Sequence, residues 1–194
     1  MNFKIEVRQT VVNYLACFPD EIGRLASLRH LLSGDTNVFL RSNMVGHLTA
    51  GALILDAAAE HLLLVWHKTL ERWVTPGGHA DPDEWLPDAA AREAREETGL
   101  IGLTPHPWHA AHGGIPLDVD SHPIPANPRK REGNHVHHDF RYVLKVADNA
   151  TPALAEDEVT AFRWLPLATQ SAKEISPGLV PLLEKLARLQ GMGG

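Results

Sequence analysis

The chain has 194 residues, of which 44% are hydrophobic, and its formal net charge is −6. A chain of this size can bury one good hydrophobic core and more readily forms one elaborated domain than two. The negative charge argues against an extended nucleic-acid footprint, because phosphate backbones are bound by clustered positive charge.

The cysteine content and the N-terminal sequence indicate the compartment. Cys17 is the only cysteine, which excludes an intramolecular disulfide and a zinc cluster built from cysteines. Residues 1–15 mix charged side chains into an apolar stretch, so they lack the continuous apolar run of a signal peptide or a membrane span. We therefore expect a soluble, cytoplasmic protein without a membrane partner.

The first 43 residues carry the pattern of two short amphipathic helices, over residues 5–16 and 22–32. The apolar residues of the second helix lie near one face: Ile22, Leu25, Leu28 and Leu32. Gly34 suits the end of that helix. We interpret residues 1–43 as a helical extension of the main domain.

Two short apolar runs follow, His47–Leu55 and His61–His67, and a stretch of polar and small residues separates them. This pattern predicts two strands joined by a turn. Residues 73–75 predict a further short strand. It ends at Pro76 and the glycine pair after it, because proline and glycine interrupt regular strands.

The segment Leu86–Thr98 is rich in Ala, Glu and Arg and predicts a helix, with Pro87 in its first turn and Gly99 as its C-terminal cap. Residues 105–133, by contrast, are rich in Pro, Gly and His and predict a long loop with at most a short strand in it. Loops of this length are commonly functional, so we expect this one to border the substrate.

The C-terminal part predicts two more strands, over residues 135–146 and 159–165. A final helix is expected to begin at Ser176, which caps it, with Pro177 in the first turn. The order of the elements implies an α/β fold in which helices cover a mixed sheet. We assign this domain to residues 44–194.

The three glutamates Glu93, Glu96 and Glu97 carry the most informative chemistry. Positions three and four apart share one face of a helix, so the three carboxylates project together. Such a patch repels itself unless a cation neutralises it, and carboxylate oxygens suit Mg²⁺ or Mn²⁺. The alternative is an ordinary solvated helix, but the spacing of the surrounding residues favours a metal site.

Residues 78–100 extend this patch into a longer motif, GHADPDEWLPDAAAREAREETGL. The motif resembles the Nudix box, G-x5-E-x7-R-E-U-x-E-E-x-G-U with U an apolar residue, at every specified position. Ala94 is a small residue at the first U. The apolar strand pair before the motif and the Trp-Val-Thr-Pro-Gly-Gly sequence that leads into it agree with the resemblance.

This resemblance implies a Nudix-like α/β/α sandwich and a hydrolase that acts on phosphorus-containing acid anhydrides. It implies that Glu93, Glu96 and Glu97 bind Mg²⁺ or Mn²⁺, with a carbonyl of Gly77 or Gly78 as a further ligand. Two more catalytic-site residues, Glu84 and Arg92, would support them. In the family, water attacks phosphorus with the help of the cations, and the general base is a glutamate of the box or a residue from elsewhere.

A second polar cluster follows the predicted loop. In a strand, His135, His137 and Asp139 point to one face, and His138 points to the other. Converging imidazole and carboxylate groups can bind substrate, bind a metal or act as a base. We expect five residues to contact the substrate: His79, His135, His137, Asp139 and Arg141. An exposed strand end is the alternative for the residues of this cluster, and a structural hydrogen-bonding role is the alternative for His79.

The resemblance implies a small nucleotide-like substrate, a nucleoside diphosphate linked to another group, as in ADP-ribose or a nucleotide sugar. We expect no extended nucleic acid as a partner, and a homodimer is left open. One alternative function is a Nudix-like module that binds or senses a nucleotide without turnover. Another is a hydrolase whose chief metal is zinc, bound by His135, His137 and Asp139.

Overall fold

The computed structural model describes residues 3–82, 84–128, 131–147, 150–155, 159–167, 175 and 179–191. Two helices come first, α1 (Phe3–Cys17) and α2 (Ala26–Ser33), and a 3₁₀ turn at Pro19–Glu21 lies between them. Both predicted N-terminal helices are confirmed. The second begins at Ala26 rather than at residue 22, since the chain turns around Gly23, a residue that weakens helices.

Within the described residues, eight strands form one mixed sheet. They are β1 (His47–Leu55), β2 (His61–His67), β3 (Arg72–Val74), β4 (Gly77–His79), β5 (Thr104–Pro105), β6 (Asp118–Ile124), β7 (His135–Lys145) and β8 (Val159–Pro166). The order β3-β2-β1-β7-β5 runs through the sheet, while β4 pairs with β1, β6 with β7 and β8 with β2. β1 and β7 are parallel, from the pair His47–His137 to the pair Leu55–Lys145, and the other ladders between the described strands are antiparallel.

Helix α3 spans Leu86–Thr98, as predicted, with a proline in its first turn. Small residues such as Ala90 and Ala94 form its buried face. Gly99 follows in the left-handed conformation, with φ of 64°, and a side chain there would clash with the backbone of Ala153. The helix therefore packs its small residues inward, and Glu97 is the charged residue of this helix that is buried with them.

The segment 105–133 is more structured than its sequence predicts. It contains helix α4 (Pro107–Ala111) and the strand β6, which pairs with β7 along its whole length. Proline and aspartate are depleted in strands, so the sequence around Asp118, Asp120 and Pro123 predicted a loop where the structure has β6. The prediction of a long loop with at most a short strand is therefore wrong.

Helices cover both faces of the sheet. Ile54 of β1 packs in one apolar cluster with Ala94 of α3, whereas the next residue, Leu55, packs with leucines of α5 (Val180–Gly191). Successive strand residues point to opposite faces, so α3 and α5 lie on opposite sides of the sheet. This layering confirms the predicted α/β fold with a mixed sheet between helices.

The N-terminal helices share a core with the sheet. One apolar cluster joins Tyr14 of α1 and Leu28 of α2 to Ala90 of α3 and Phe140 of β7. All four residues are fully buried. The helical extension is therefore integrated with the sheet, and its separation from the main domain at residue 43 stays a prediction.

The described part of the last helix presents a buried stripe of Leu182, Leu183, Leu186 and Leu189. The predicted cap Ser176 and the predicted first-turn residue Pro177 lie outside the described residues. None of the helices in the described segments is long and apolar enough to cross a membrane.

Candidate active site

The polar face of α3 carries Glu93, Glu96 and Glu97 beside strand β4. Glu97 is only 5% exposed, and its carboxylate accepts a hydrogen bond from the backbone N–H of Gly77 at 3.3 Å. The side chain of Glu93 is largely buried, and that of Glu96 is 58% exposed. The three carboxylates thus extend from the buried edge of β4 outward to solvent.

Arg92 links this acidic face to its surroundings. Its Nη1 donates to Glu93 at 2.8 Å and to Glu96 at 3.0 Å, while Nε and Nη2 both donate to Glu84 at 2.9 Å. Nη2 also donates to the backbone carbonyl of His79 at 3.0 Å. The hydrogen bonds from Arg92 lower the pKa of Glu84, which keeps this pair charged. Arg92 therefore connects α3 to β4 through the carbonyl of His79, and to the segment between them through Glu84.

Glycines allow β4 to lie close to its neighbours. A Cβ atom on Gly78 would lie 2.5 Å from the carboxylate carbon of Glu93. A Cβ atom on Gly77 would lie 2.7 Å from the backbone oxygen of Ala50. Real Cβ atoms do not approach other atoms so closely, so β4 fits against the backbone of β1 only with glycine at position 77, and a side chain at position 78 would displace the carboxylate of Glu93.

The oxygen donors of this face suit a hard divalent cation. Carboxylate oxygens come from Glu93, Glu96 and Glu97, and Gly78, whose carbonyl is the predicted further ligand, lies directly against Glu93. Mg²⁺ takes oxygen ligands and is commonly shared between one or two carboxylates, water and substrate phosphates. The residues present therefore fit the predicted cation in donor type.

Four histidines meet where the first residues of β1 and β7 lie beside β4; we call them the histidine cluster: His47, His79, His135 and His137. Nε2 of His47 is 3.0 Å from Nε2 of His79, and Nε2 of His135 is 3.1 Å from Nε2 of His137. Among the residues that the structure describes, one set of three potential ligands has its ligand atoms all within 4.8 Å of one another: His47, His79 and His137.

Burial affects the charge of two members of the histidine cluster, His47 and His137. It lowers the pKa of His47, and together with the neighbouring imidazoles it lowers the pKa of His137 to about 2. Both rings are therefore neutral at neutral pH, and a neutral imidazole keeps one nitrogen with a free lone pair. Such rings can act as ligands or as hydrogen-bond partners.

His47 is the member of the cluster that sequence reasoning missed. It opens an apolar strand and has no exposed surface. Its partner His79 lies 32 residues away in the chain. The sequence showed only a histidine at the start of a predicted buried strand. The strand pairing that brings His47 close to the other histidines cannot be read from the sequence.

Asp139 and Arg141 belong to an ionic network instead of the histidine cluster. The guanidinium of Arg141 donates to Asp139 at 2.8 Å, to Asp118 at 3.0 Å and to Asp120 at 3.3 Å. Each of the three guanidinium nitrogens of Arg141 thus donates a hydrogen bond to an aspartate of the protein. His135, His137 and Asp139 lie at alternate positions of β7, and their joint role in binding substrate or a metal stays a prediction, as do substrate contacts by Asp139 and Arg141.

The buried Asp118 lies at the centre of this network, which we call the Asp118 network. It accepts from Lys185 of α5 at 2.6 Å and from Arg24 at 2.9 Å. Burial would raise the pKa of Asp118, but the positive charges of Arg141, Lys185 and Arg24 outweigh it and hold this pKa below its ordinary value. Lys185 also donates to the hydroxyl of Tyr14 at 2.6 Å, so the network joins α1, β6, β7 and α5.

A cleft of about 510 Å³ opens beside the Asp118 network. Its lining includes Trp73, Thr75, His122, Arg141 and Leu182. Thr75 precedes the Gly77–His79 strand, so the cleft begins where the chain enters the Nudix-like motif. Its volume lies within the range of small-molecule sites in proteins.

The family model of the NUDIX domain matches residues 46–186. The chain belongs to the NUDIX family. This NUDIX chain is 32% identical over 114 residues to the probable DHNTP pyrophosphohydrolase of Lactococcus lactis subsp. cremoris. It is 34% identical over 127 residues to the m7GpppN-mRNA hydrolase NUDT17 of Bos taurus. Each match covers 59% of this chain but only 64% of the bacterial relative and 39% of the bovine one.

Solved structures support the NUDIX fold. A C. elegans Ap4A hydrolase in a binary complex superposes with a TM-score of 0.55 at 22% identity, covering 74% of this chain and 97% of that one. The dihydroneopterin triphosphate pyrophosphohydrolase of E. coli superposes with a TM-score of 0.54 at 17% identity, covering 71% and 92%. At these identities the likeness concerns the fold of this NUDIX chain.

Proposed function

We propose that this NUDIX chain is a hydrolase, dependent on Mg²⁺ or Mn²⁺, that cleaves the diphosphate linkage of a nucleoside diphosphate joined to another group. The observation that carries the proposal is the placement of Glu93, Glu96 and Glu97 on one face of α3, directly against the glycine strand β4. Both curated relatives are named as hydrolases, one of them as a pyrophosphohydrolase, which supports the same chemistry.

In this proposal the three glutamates and the carbonyl of Gly78 hold the cation. When bound, the cation supplies a Lewis acid that acidifies water and neutralises the charge of phosphate oxygens. Arg92 contacts Glu93 and Glu96 and so orients their carboxylates. The hydrogen bond from Gly77 fixes Glu97 in its buried position.

The cleft beside Thr75 would take the organic part of the substrate. Trp73 and Leu182 give this cleft an apolar part beside the polar side chains of Thr75 and His122. A cleft of about 510 Å³ favours a small conjugate over a long polymer. The proposed substrate class is therefore a small nucleoside diphosphate conjugate, such as ADP-ribose or a nucleotide sugar.

The proposal is tested by assaying ADP-ribose, nucleotide sugars and nucleoside triphosphates with Mg²⁺ and with Mn²⁺. We expect turnover that requires the cation and is lost on chelation. In Glu97→Gln, kcat should fall by at least about 100-fold, since losing a ligand removes several kcal/mol of transition-state stabilisation. The matched control is Glu184→Gln on the exposed face of α5, which should retain the wild-type rate.

A nucleotide that binds but is not cleaved under any of these conditions would overturn the hydrolase and favour a binding or sensor module. Full activity of Glu97→Gln would overturn the assignment of the glutamates even if turnover is found. Metal-dependent turnover of nucleoside triphosphates alone would keep the hydrolase and reject the substrate class.

A further inference from the structure

We propose that His47, His79 and His137 form a binding site for a borderline transition-metal ion such as Zn²⁺, separate from the carboxylate site on α3. Their ligand nitrogens already lie within 4.8 Å of one another. A tetrahedral ion with Zn–N bonds of about 2.0–2.1 Å holds its ligand nitrogens about 3.3 Å apart, so small side-chain movements close the set around it. The site goes beyond the proposed hydrolysis, because it uses none of the glutamates.

Three strands of the sheet carry the three ligands. His47 and His137 are opposite each other in the parallel β1–β7 ladder, and β4 pairs with β1 so that His79 lies opposite Thr49. Sites built on strands are more precise than sites built on loops, because the backbone ladder fixes them. The ligand positions are therefore held by the most regular part of the fold.

Backbone carbonyls set the tautomers of two rings in the histidine cluster. Nδ1 of His47 donates to the carbonyl of Asn43 at 3.3 Å, which leaves the lone pair of this neutral ring on Nε2, facing His79. Nδ1 of His135 donates to the carbonyl of Gly133 at 2.8 Å in the same way. Metal-binding histidines commonly show this pattern, with the second ring nitrogen donating to a carbonyl or carboxylate.

The donor atoms decide the kind of ion. Imidazole suits Zn²⁺ and neighbouring transition metals, whereas Mg²⁺ prefers oxygen. The adjacent carboxylate of Asp139 is engaged by Arg141 and does not compete for the ion as a ligand of this set. Three protein ligands leave a fourth position for water or for Nε2 of His135, which lies 3.1 Å from Nε2 of His137. The hydrogen bond from Arg92 to the carbonyl of His79 connects the proposed site to the acidic face.

The test measures metal binding directly on the full chain, produced without a polyhistidine tag and stripped of metal with a chelator. We expect about one Zn²⁺ per chain by elemental analysis after dialysis, with calorimetry giving the affinity. Loading with Co²⁺ should produce the strong visible absorption of a tetrahedral nitrogen site. His79→Ala and His137→Ala should each weaken Zn²⁺ binding more than about 100-fold, since even residues outside the direct ligand set change affinity 10- to 100-fold.

Two controls separate this site from other sources of binding. His30→Ala removes an exposed histidine of α2 and should bind Zn²⁺ as the wild type does. Glu97→Gln should also keep its Zn²⁺, whether or not it retains hydrolase activity. Far-UV circular dichroism confirms that each variant is folded.

Substoichiometric Zn²⁺ in the wild type would overturn the proposal, as would unchanged binding in His137→Ala. Loss of Zn²⁺ from Glu97→Gln but not from His79→Ala would place the ion on the carboxylates and overturn it as well. The Co²⁺ spectrum of the wild type decides the ligand type even if a histidine variant does not fold.

Discussion

At the scale of single residues, Gly78 controls how close strand β4 comes to the acidic helix face. The Nudix-box resemblance indicated that a glycine belongs here, and the structure supplies the reason, since a side chain would overlap the carboxylate of Glu93. His47 shows the opposite case. Its role depends on a strand partner far away in the chain, which local patterns cannot reveal.

We expect Gly78→Ala to displace Glu93 and to lower kcat by about 100-fold, because a displacement of the order of 1 Å at a catalytic group has that effect. The free energy of unfolding should fall by only about 1–3 kcal/mol, the usual result of one added methyl group in a packed region. Steady-state kinetics and urea unfolding measure the two effects. Gly23→Ala is the control, since nothing lies within 4 Å of a Cβ atom there and both quantities should stay near wild type. Wild-type kinetics in Gly78→Ala would contradict the importance of this close approach.

At the scale of elements, the sequence predicted the helices and strands that their own residues identify without reference to distant parts of the chain. The composition and end signals of Leu86–Thr98 predicted α3, and the apolar runs predicted β1 and β2. The sequence did not predict β6, because its residue types are typical of a loop. The segment is a strand because it pairs with β7. The sequence did not predict the Asp118 network either, because its members come from opposite ends of the chain.

The Asp118 network makes α5 an electrostatic partner of the sheet as well as an apolar one. We expect Lys185→Met to lower the free energy of unfolding by about 3 kcal/mol, since removing one member of a buried ion pair leaves its partner less well compensated. The side chain of Lys185 is 10% exposed, so solvent screens this interaction only weakly. Urea unfolding followed by tryptophan fluorescence measures the change.

Arg188→Met on the exposed side of the same helix serves as the control for lost positive charge and should change the free energy of unfolding by less than about 0.5 kcal/mol. Equal effects of the two substitutions would show that the charge, and not its buried contacts, matters.

At the scale of the whole molecule, the N-terminal helices and the sheet share one apolar cluster. The sequence predicted the helices but not this integration, because amphipathic patterns identify a buried face without identifying what covers it. Tyr14 joins the two parts through packing in this cluster and through the hydrogen bond that its hydroxyl accepts from the backbone N–H of Val119 in β6.

We therefore expect the full chain to unfold in a single cooperative transition. Far-UV circular dichroism, which detects all helices, and the fluorescence of the five tryptophans, all of which follow the extension in the chain, should give the same urea midpoint. Two separated midpoints would contradict the shared core and would favour a helical extension that folds by itself.

The parallel ladder between β1 and β7 joins segments that are far apart in the chain, since His47 pairs with His137. Contacts of such long sequence separation form slowly, because a large loop must close before they stabilise anything. The ribosome must therefore synthesise the chain to Lys145 before this ladder can be completed. Until then the apolar residues of β1 are not paired with β7. A chaperone that shields them would therefore raise the yield of folded protein.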